Sequence, residues 1–282
     1  MDLSVVVASH ANPQGLYLTV FSVLQQLLKC PFSWEIVISA DGGTPVKWEK
    51  LQNVKCLRVQ TGSPQGTRDA GIRAASGRLC LVIEDHVIVS DIASFLEVYN
   101  TIPSHWRPAI LFPARIGETA ELFSAYGTTT DFDGLWFKTT QYSPRSGQTG
   151  LPYRVPQFGH SCFLLDREWY LESDGYGTTL KGYGGEEPLL CFKAWMLGRE
   201  CWQTPNIWHA HYLSDNGMGN AMGTEQFKKN FEIVKYIMTG DYSVLRPPIS
   251  QAVIQERERI KQGPYGGDFN KLREYFKREG IA

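Results

Sequence analysis

Five short stretches of the 282-residue chain bring together side chains that can do chemistry. Glu84-Asp85-His86 follows an apolar run. Side chains i and i+2 on an extended chain share a face, so Glu84 and His86 can bind one cation together. A carboxylate with an imidazole suits Mn²⁺ or a similar divalent ion. The plainer reading is a solvated strand end whose histidine caps a loop. Trp208-His209-Ala210-His211-Tyr212 holds two more imidazoles and can supply a third ligand from far along the chain. Its plainer reading is a histidine packed among aromatics. Gly184-Gly185-Glu186-Glu187-Pro188 precedes a helical pattern. The helix dipole favours carboxylates there, and either acid can act as a base at a cleft mouth. Asp41, after an apolar strand pattern, can accept a hydrogen bond from a nucleoside or simply form a turn before Gly42-Gly43. Arg68, in Gln65-Gly66-Thr67-Arg68-Asp69-Ala70-Gly71, sits near a helix start, where guanidinium and backbone N–H groups hold phosphate. No GxGxxG, P-loop, GxSxG or HExxH pattern is present.

These residues fall at the ends of a repeating pattern. Residues 3–8 form a continuous apolar, β-branched run, as expected of a strand buried on both faces. Asn12-Pro13-Gln14-Gly15 reads as a turn, and residues 16–28 carry apolar side chains at helical spacing. Strands are expected at 35–39, 54–59 and 79–83, and helices at 67–75 and 92–99. The alternation implies an α/β fold, a Rossmann-like, mainly parallel central sheet flanked by helices. Ligands of such sheets sit at the carboxyl ends of the strands. Residues 113–157 show no period and read as loops and short strands over a cleft. Residues 157–166 read as a strand and 188–197 as a helix. Residues 216–223, rich in Gly and Met, read as a mobile loop, and the tail from Thr224 as a helical extension.

Composition bounds the rest. With 43 % hydrophobic and 20 % charged residues, the chain suits one large or two small globular domains. A net charge of −1 excludes a general nucleic-acid binder. Eight tryptophans lead us to expect rings lining a cleft. The six cysteines are scattered without a CxxC pair, as expected of small buried hydrophobes. Met1-Asp2 runs directly into the first strand pattern, with no signal-peptide pattern and no membrane-length apolar run, so a cytoplasmic protein is expected.

The order of these motifs resembles the GT-A fold nucleotide-sugar glycosyltransferases. The first half is similar to family 2, through Ser9-His10-Ala11-Asn12, Asp41-Gly42-Gly43, Thr67-Arg68-Asp69-Ala70-Gly71 and Glu84-Asp85-His86. The second half resembles the polypeptide N-acetylgalactosaminyltransferases. There Glu84-Asp85-His86 stands for Asp-x-His, and residues 159–167 for a Gly-rich strand ending in Asp-Arg. Tyr183-Gly184-Gly185-Glu186-Glu187 with Trp195 stands for Trp-Gly-Gly-Glu-Asn and its helix, and His209-Ala210-His211 for Val-Gly-His.

The resemblance implies a GT-A domain over 1–213, with a nucleotide-binding half (1–100) and an acceptor and catalytic half (101–213), followed by loop and helices over 214–282. It implies a metal-dependent transfer of a sugar from a UDP-sugar to a hydroxyl acceptor. Ser9, His10, Asn12 and Asp41 would hold uracil and ribose, with Arg68, Asp85 and Gly185 also on the donor. Glu84, His86 and His211 would bind Mn²⁺ or Mg²⁺. Glu186 or Glu187 would face the reacting sugars, and the 216–223 loop would order over the donor. Asp69 puts a charge where the family has an amide. The acceptor can be a glycan, a small molecule or a modified DNA base, the last drawing on the basic residues of the C-terminal helices. Two rivals remain: a non-catalytic sugar-nucleotide or glycan-binding protein, and a nucleotidyltransferase.

Overall fold

The computed structural model describes residues 1–42, 48, 50–103, 108–116, 122–124, 128–131, 138–141, 151–157, 159, 161–211, 224–245 and 248–281. Gly43 and the 216–223 loop lie outside the described residues, as does most of 113–157.

The first half alternates as the periodicity predicts: β1 (Leu3–His10), α1 (Pro13–Leu27), β2 (Trp34–Asp41), β3 (Val54–Arg58), α2 (Pro64–Ala74) and β4 (Leu79–Glu84). A three-residue strand, β5 (Val87–Val89), and α3 (Ile92–Thr101) follow. Then come β6 (Pro108–Ile116), β7 (Leu122–Ser124), β8 (Thr128–Asp131), β9 (Lys138–Gln141), β10 (Tyr153–Arg154) and β11 (Cys162–Asp166). The chain continues through α4 (Arg167–Glu172), α5 (Glu186–Met196), β12 (Glu200–His211), α6 (Glu225–Thr239), α7 (Gln251–Lys261) and α8 (Phe269–Glu279). Asn12-Pro13-Gln14-Gly15 is the start of α1 rather than a free turn. The Asn12 side chain accepts from the Gly15 N–H, and Pro13 occupies a first-turn position where no N–H is needed. The strand expected over 157–166 is confined to β11.

Ten strands form one sheet with the main order β10-β12-β6-β11-β4-β1-β2-β3, while β8 and β9 pair separately. The block β4-β1-β2-β3 is parallel, as is β12 with β6. β11 runs antiparallel between β4 and β6 and joins the two halves. Every second strand residue faces the opposite side, and the core divides accordingly. Val6, Val37, Val82, Phe163 and Phe112 pack on one face, with α2, α5, α6, α7 and α8. Val5, Val7, Ile38, Leu81 and Leu164 pack on the other, with α1 and α3. Continuous apolar runs are the price of covering both faces. Gly71 lets α2 sit directly on β1, since a Cβ there would lie 2.4 Å from Val6 Cγ1. Trp169, Trp195 and Trp202 lie in these cores, so the tryptophan expectation is corrected for them: large rings fill the space between helices and sheet. Cys80, Cys162, Cys191 and Cys201 are buried, matching the small-hydrophobe reading for those four.

Candidate active site

The sheet register assembles the site. Parallel pairing sets His10 beside Asp41 and Ala8 beside Glu84, so the ends of β1, β2 and β4 share one edge. His211 arrives from 127 residues away because the end of β12 pairs antiparallel with β5, His211 opposite Val87. β5 begins immediately after His86, so this short ladder sets the two imidazoles together. Their ring centroids are 4.6 Å apart. Three residues are too few for a sequence pattern to reveal β5.

Glu84, His86 and His211 each offer a ligand atom, all within 4.8 Å of one another. His211 Nε2 lies 2.9 Å and His86 Nε2 3.4 Å from Glu84 Oε2. Glu84 Oε1 is bonded by Arg68 Nη2. One carboxylate and two imidazoles fit a divalent transition ion such as Mn²⁺. The neighbouring histidine serves differently. His209 is fully buried, with Nε2 2.9 Å from Ser161 Oγ and Nδ1 3.0 Å from the Ala114 carbonyl.

Arg68 projects from α2 and is 3 % exposed. It ties Glu84 to Glu186, whose Oε1 is 3.8 Å from Arg68 Nη1. Burial raises the Glu84 pKa, but Arg68 first and then His211 reverse this and hold it well below the usual carboxylate range. Burial likewise raises Glu186, and there Arg68 only partly offsets it, so Glu186 keeps a raised pKa. Burial lowers the His86 pKa, yet the hydrogen bond to Asp85 and the charge of Glu84 leave it raised. Arg68 Nε, Arg68 Nη1 and Glu186 Oε2 are buried without a hydrogen bond. Native proteins leave few such atoms unpaired, and each calls for an explanation.

Glu186 and Glu187 open α5, whose N-cap is Gly185 at φ +85°. Gly184 precedes it at φ +99°, and a Cβ there would lie 2.3 Å from the Phe227 ring. Asn230 of α6 clamps this loop. Its Nδ2 donates to the carbonyls of Lys181, Tyr183 and Gly184 at 2.7, 3.1 and 3.0 Å. Glu186 is buried and Glu187 exposed. Sequence reasoning missed Asn230, which no local pattern marks because it acts across 46 residues. It also missed Tyr176, a fully buried phenol whose pKa burial raises and Arg68 opposes.

The residues expected to hold a nucleoside are held by their own neighbours. Asp41 accepts from the Gly42 and Gly62 N–H groups at 2.8 Å each, from Thr61 Oγ1 at 2.8 Å and from Thr67 Oγ1 at 3.3 Å. These bonds outweigh burial and lower its pKa. His10 is mostly exposed, 4.0 Å from Asp41. Asp85, expected on the donor, accepts from Ser9, His10 and Asn12 and meets His86. Asp69 lies apart from the cluster, bonded to Arg73 Nε at 2.8 Å and to the Tyr170 hydroxyl at 2.8 Å.

No protein-family profile matches the chain. It is 25 % identical over 230 residues to the probable N-acetylgalactosaminyltransferase 7 of Caenorhabditis elegans, covering 70 % of this chain and 36 % of that one. It is 22 % identical over 234 residues to the polypeptide N-acetylgalactosaminyltransferase 8 of Drosophila melanogaster, covering 76 % and 38 %. The chain thus spans less than two-fifths of the length of these curated relatives. A crystal structure of GalNAc-T7 with UDP, GalNAc and Mn²⁺ superposes with a TM-score of 0.74 at 18 % identity, covering 99 % of this chain and 57 % of that one. S. aureus TarS 1-349 in complex with UDP-GlcNAc superposes with a TM-score of 0.54 at 13 % identity, covering 99 % and 74 %. A mixed α/β sheet of this order, matched across nearly its whole length by such structures, gives this chain the GT-A fold of the nucleotide-sugar glycosyltransferases.

Proposed function

We propose that this chain is a metal-dependent glycosyltransferase that moves a hexosyl or N-acetylhexosaminyl group from UDP to an acceptor hydroxyl. The observation that carries this reading is the meeting of Glu84, His86 and His211 with Arg68 and Glu186 at one edge of a GT-A sheet. The ligands bound to the two structural relatives, UDP with GalNAc and Mn²⁺ in one and UDP-GlcNAc in the other, support the donor class.

Glu84, His86 and His211 would hold Mn²⁺ or Mg²⁺, which supplies Lewis-acid neutralisation of a departing diphosphate. Arg68 is a fixed, buried cation beside that position and adds preorganised charge stabilisation. Ser9, His10, Asn12 and Asp41 line the nucleoside side, and Gly185 brings the start of α5 close to the sugar. The buried Glu186, with one carboxylate oxygen lacking a hydrogen bond, suits a donor-sugar hydroxyl. Glu187 is exposed on the same helix start, which favours it as the acid that meets an acceptor. We favour a glycan or small-molecule acceptor, since the basic residues of α7 and α8 are diluted by Glu256, Glu258, Glu274 and Glu279.

The test is UDP release from UDP-glucose, UDP-galactose, UDP-N-acetylglucosamine and UDP-N-acetylgalactosamine, with Mn²⁺ or with EDTA. Slow release with one donor, stopped by EDTA and by His211→Ala, is the expected result. A chain that binds none of the donors and no UDP refutes the reading.

A further inference from the structure

Asp85 stands between two cluster ligands in sequence, yet its carboxylate turns to the other side of the turn. It is 4 % exposed. Its Oδ2 accepts from Ser9 Oγ at 2.6 Å and from the His10 N–H at 3.3 Å, and its Oδ1 accepts from Asn12 Nδ2 at 3.2 Å. The remaining contact is His86 Nδ1, 2.7 Å from Oδ1. We propose that Asp85 is a positioning residue: it fixes His86 as a metal ligand and couples occupation of the β1–α1 turn to metal affinity. The coupling half rests on the nucleoside reading of that turn given above; the positioning half rests on the cluster alone.

The argument is one of hydrogen-bond roles. A carboxylate only accepts, so the proton of the contact sits on His86 Nδ1. Nε2, the nitrogen that faces Glu84 Oε2, is then the one left to give its lone pair to an ion. Carboxylates that orient metal-bound imidazoles in this way act on both tautomer and ring angle. The same carboxylate is anchored by three donors of the Ser9–Asn12 turn. Asn12 is doubly engaged, since its Oδ1 also caps α1 through the Gly15 N–H. There is no slack here: a Cβ on Gly15 would lie 2.6 Å from the Asp85 carbonyl oxygen. A ligand that orders Ser9, His10 and Asn12 therefore restrains Asp85, and Asp85 restrains His86. Coupling of this kind is reciprocal.

The experiment measures Mn²⁺ affinity of the full chain by calorimetry, with and without uridine, which has no phosphate to reach the ion. Asp85→Asn weakens Mn²⁺ binding by roughly 10–100-fold. The Asp85→Asn/His86→Ala double variant binds no more weakly than His86→Ala alone, because Asp85 acts through His86; a merely structural role would give additive losses. Uridine tightens Mn²⁺ binding in the wild type and not in Asp85→Asn. Imidazole nitrogen NMR of the metal-free wild type needs no variant to fold, and it must show His86 protonated on Nδ1. Unchanged affinity in Asp85→Asn, additive losses, an Nε2–H tautomer, or a wild type that binds no Mn²⁺ overturns the positioning role. A wild type that binds Mn²⁺ normally but not uridine overturns the coupling and counts against the nucleoside reading, while the positioning role is still decided by the Mn²⁺ data.

Discussion

Replacing Arg68 with methionine tests whether one buried cation holds the site together. The side chain keeps comparable length but loses its charge. Arg68 and its two acidic partners have side-chain exposures of 4 %, 12 % and 5 % for Arg68, Glu84 and Glu186. At the 3.8 Å separation of Arg68 from Glu186, an effective dielectric near 20 gives about 4 kcal/mol of attraction. Desolvation cancels much of that in the intact pair, but removing one partner strands the other charges. Breaking a buried pair in this way costs roughly 3–5 kcal/mol. At about 2–4 °C per kcal/mol for a large domain, the metal-free variant melts roughly 6–20 °C lower. Arg68→Lys, which restores the charge without the planar fork, recovers part of the loss. Mn²⁺ brings positive charge to the same carboxylates, now without competition from the guanidinium for Glu84. The ion therefore raises the melting temperature of Arg68→Met by more than it raises that of the wild type. Differential scanning calorimetry with EDTA and with Mn²⁺ decides the matter. A metal-free Arg68→Met as stable as the wild type, or an equal Mn²⁺ effect on both, refutes the reasoning.

Asn230→Ala strips the clamp from the 181–184 loop and takes the donor from the buried Gly184 carbonyl and from two part-buried ones, costing about 1–3 kcal/mol. Denaturant unfolding should show that loss, and the variant should lose turnover more than UDP affinity because Glu186 follows the loop. Glu186→Gln should be more stable than the wild type at neutral pH. A carboxyl whose folded-state pKa is raised makes stability fall as pH rises from the ordinary 4.5 through the raised value. Glutamine has no such penalty, so melting curves of the two proteins should converge as the pH is lowered through that window, and a variant less stable at pH 7 would contradict the assignment.

Much of the parallel half was legible without coordinates. The apolar runs at 3–8 and 79–83 read as strands covered on both faces, and the intervening helical periods supply the cover. The local pairing of Glu84 with His86 was legible for a similar reason, since spacing of two on an extended chain is a geometric statement. What distinguished His211 from His209 was not in the local sequence. Both lie on the same face of β12, and only the pairing with β5 and the packing around Ser161 send one to the cluster and the other to the core. Asp85 and Asp69 show the same limit. Each is an acid near a candidate site in sequence, and only tertiary contacts with Ser9 and Asn12, or with Tyr170 and Arg73, decide what each one holds. Sequence by itself determined the strands of the parallel half, most of the helices and the kinds of chemistry at their ends, because these follow from short-range periodicity and side-chain type. Tertiary structure alone decided which of those groups meet, because register, a three-residue strand and a clamp from a distant helix are set by packing across the whole chain.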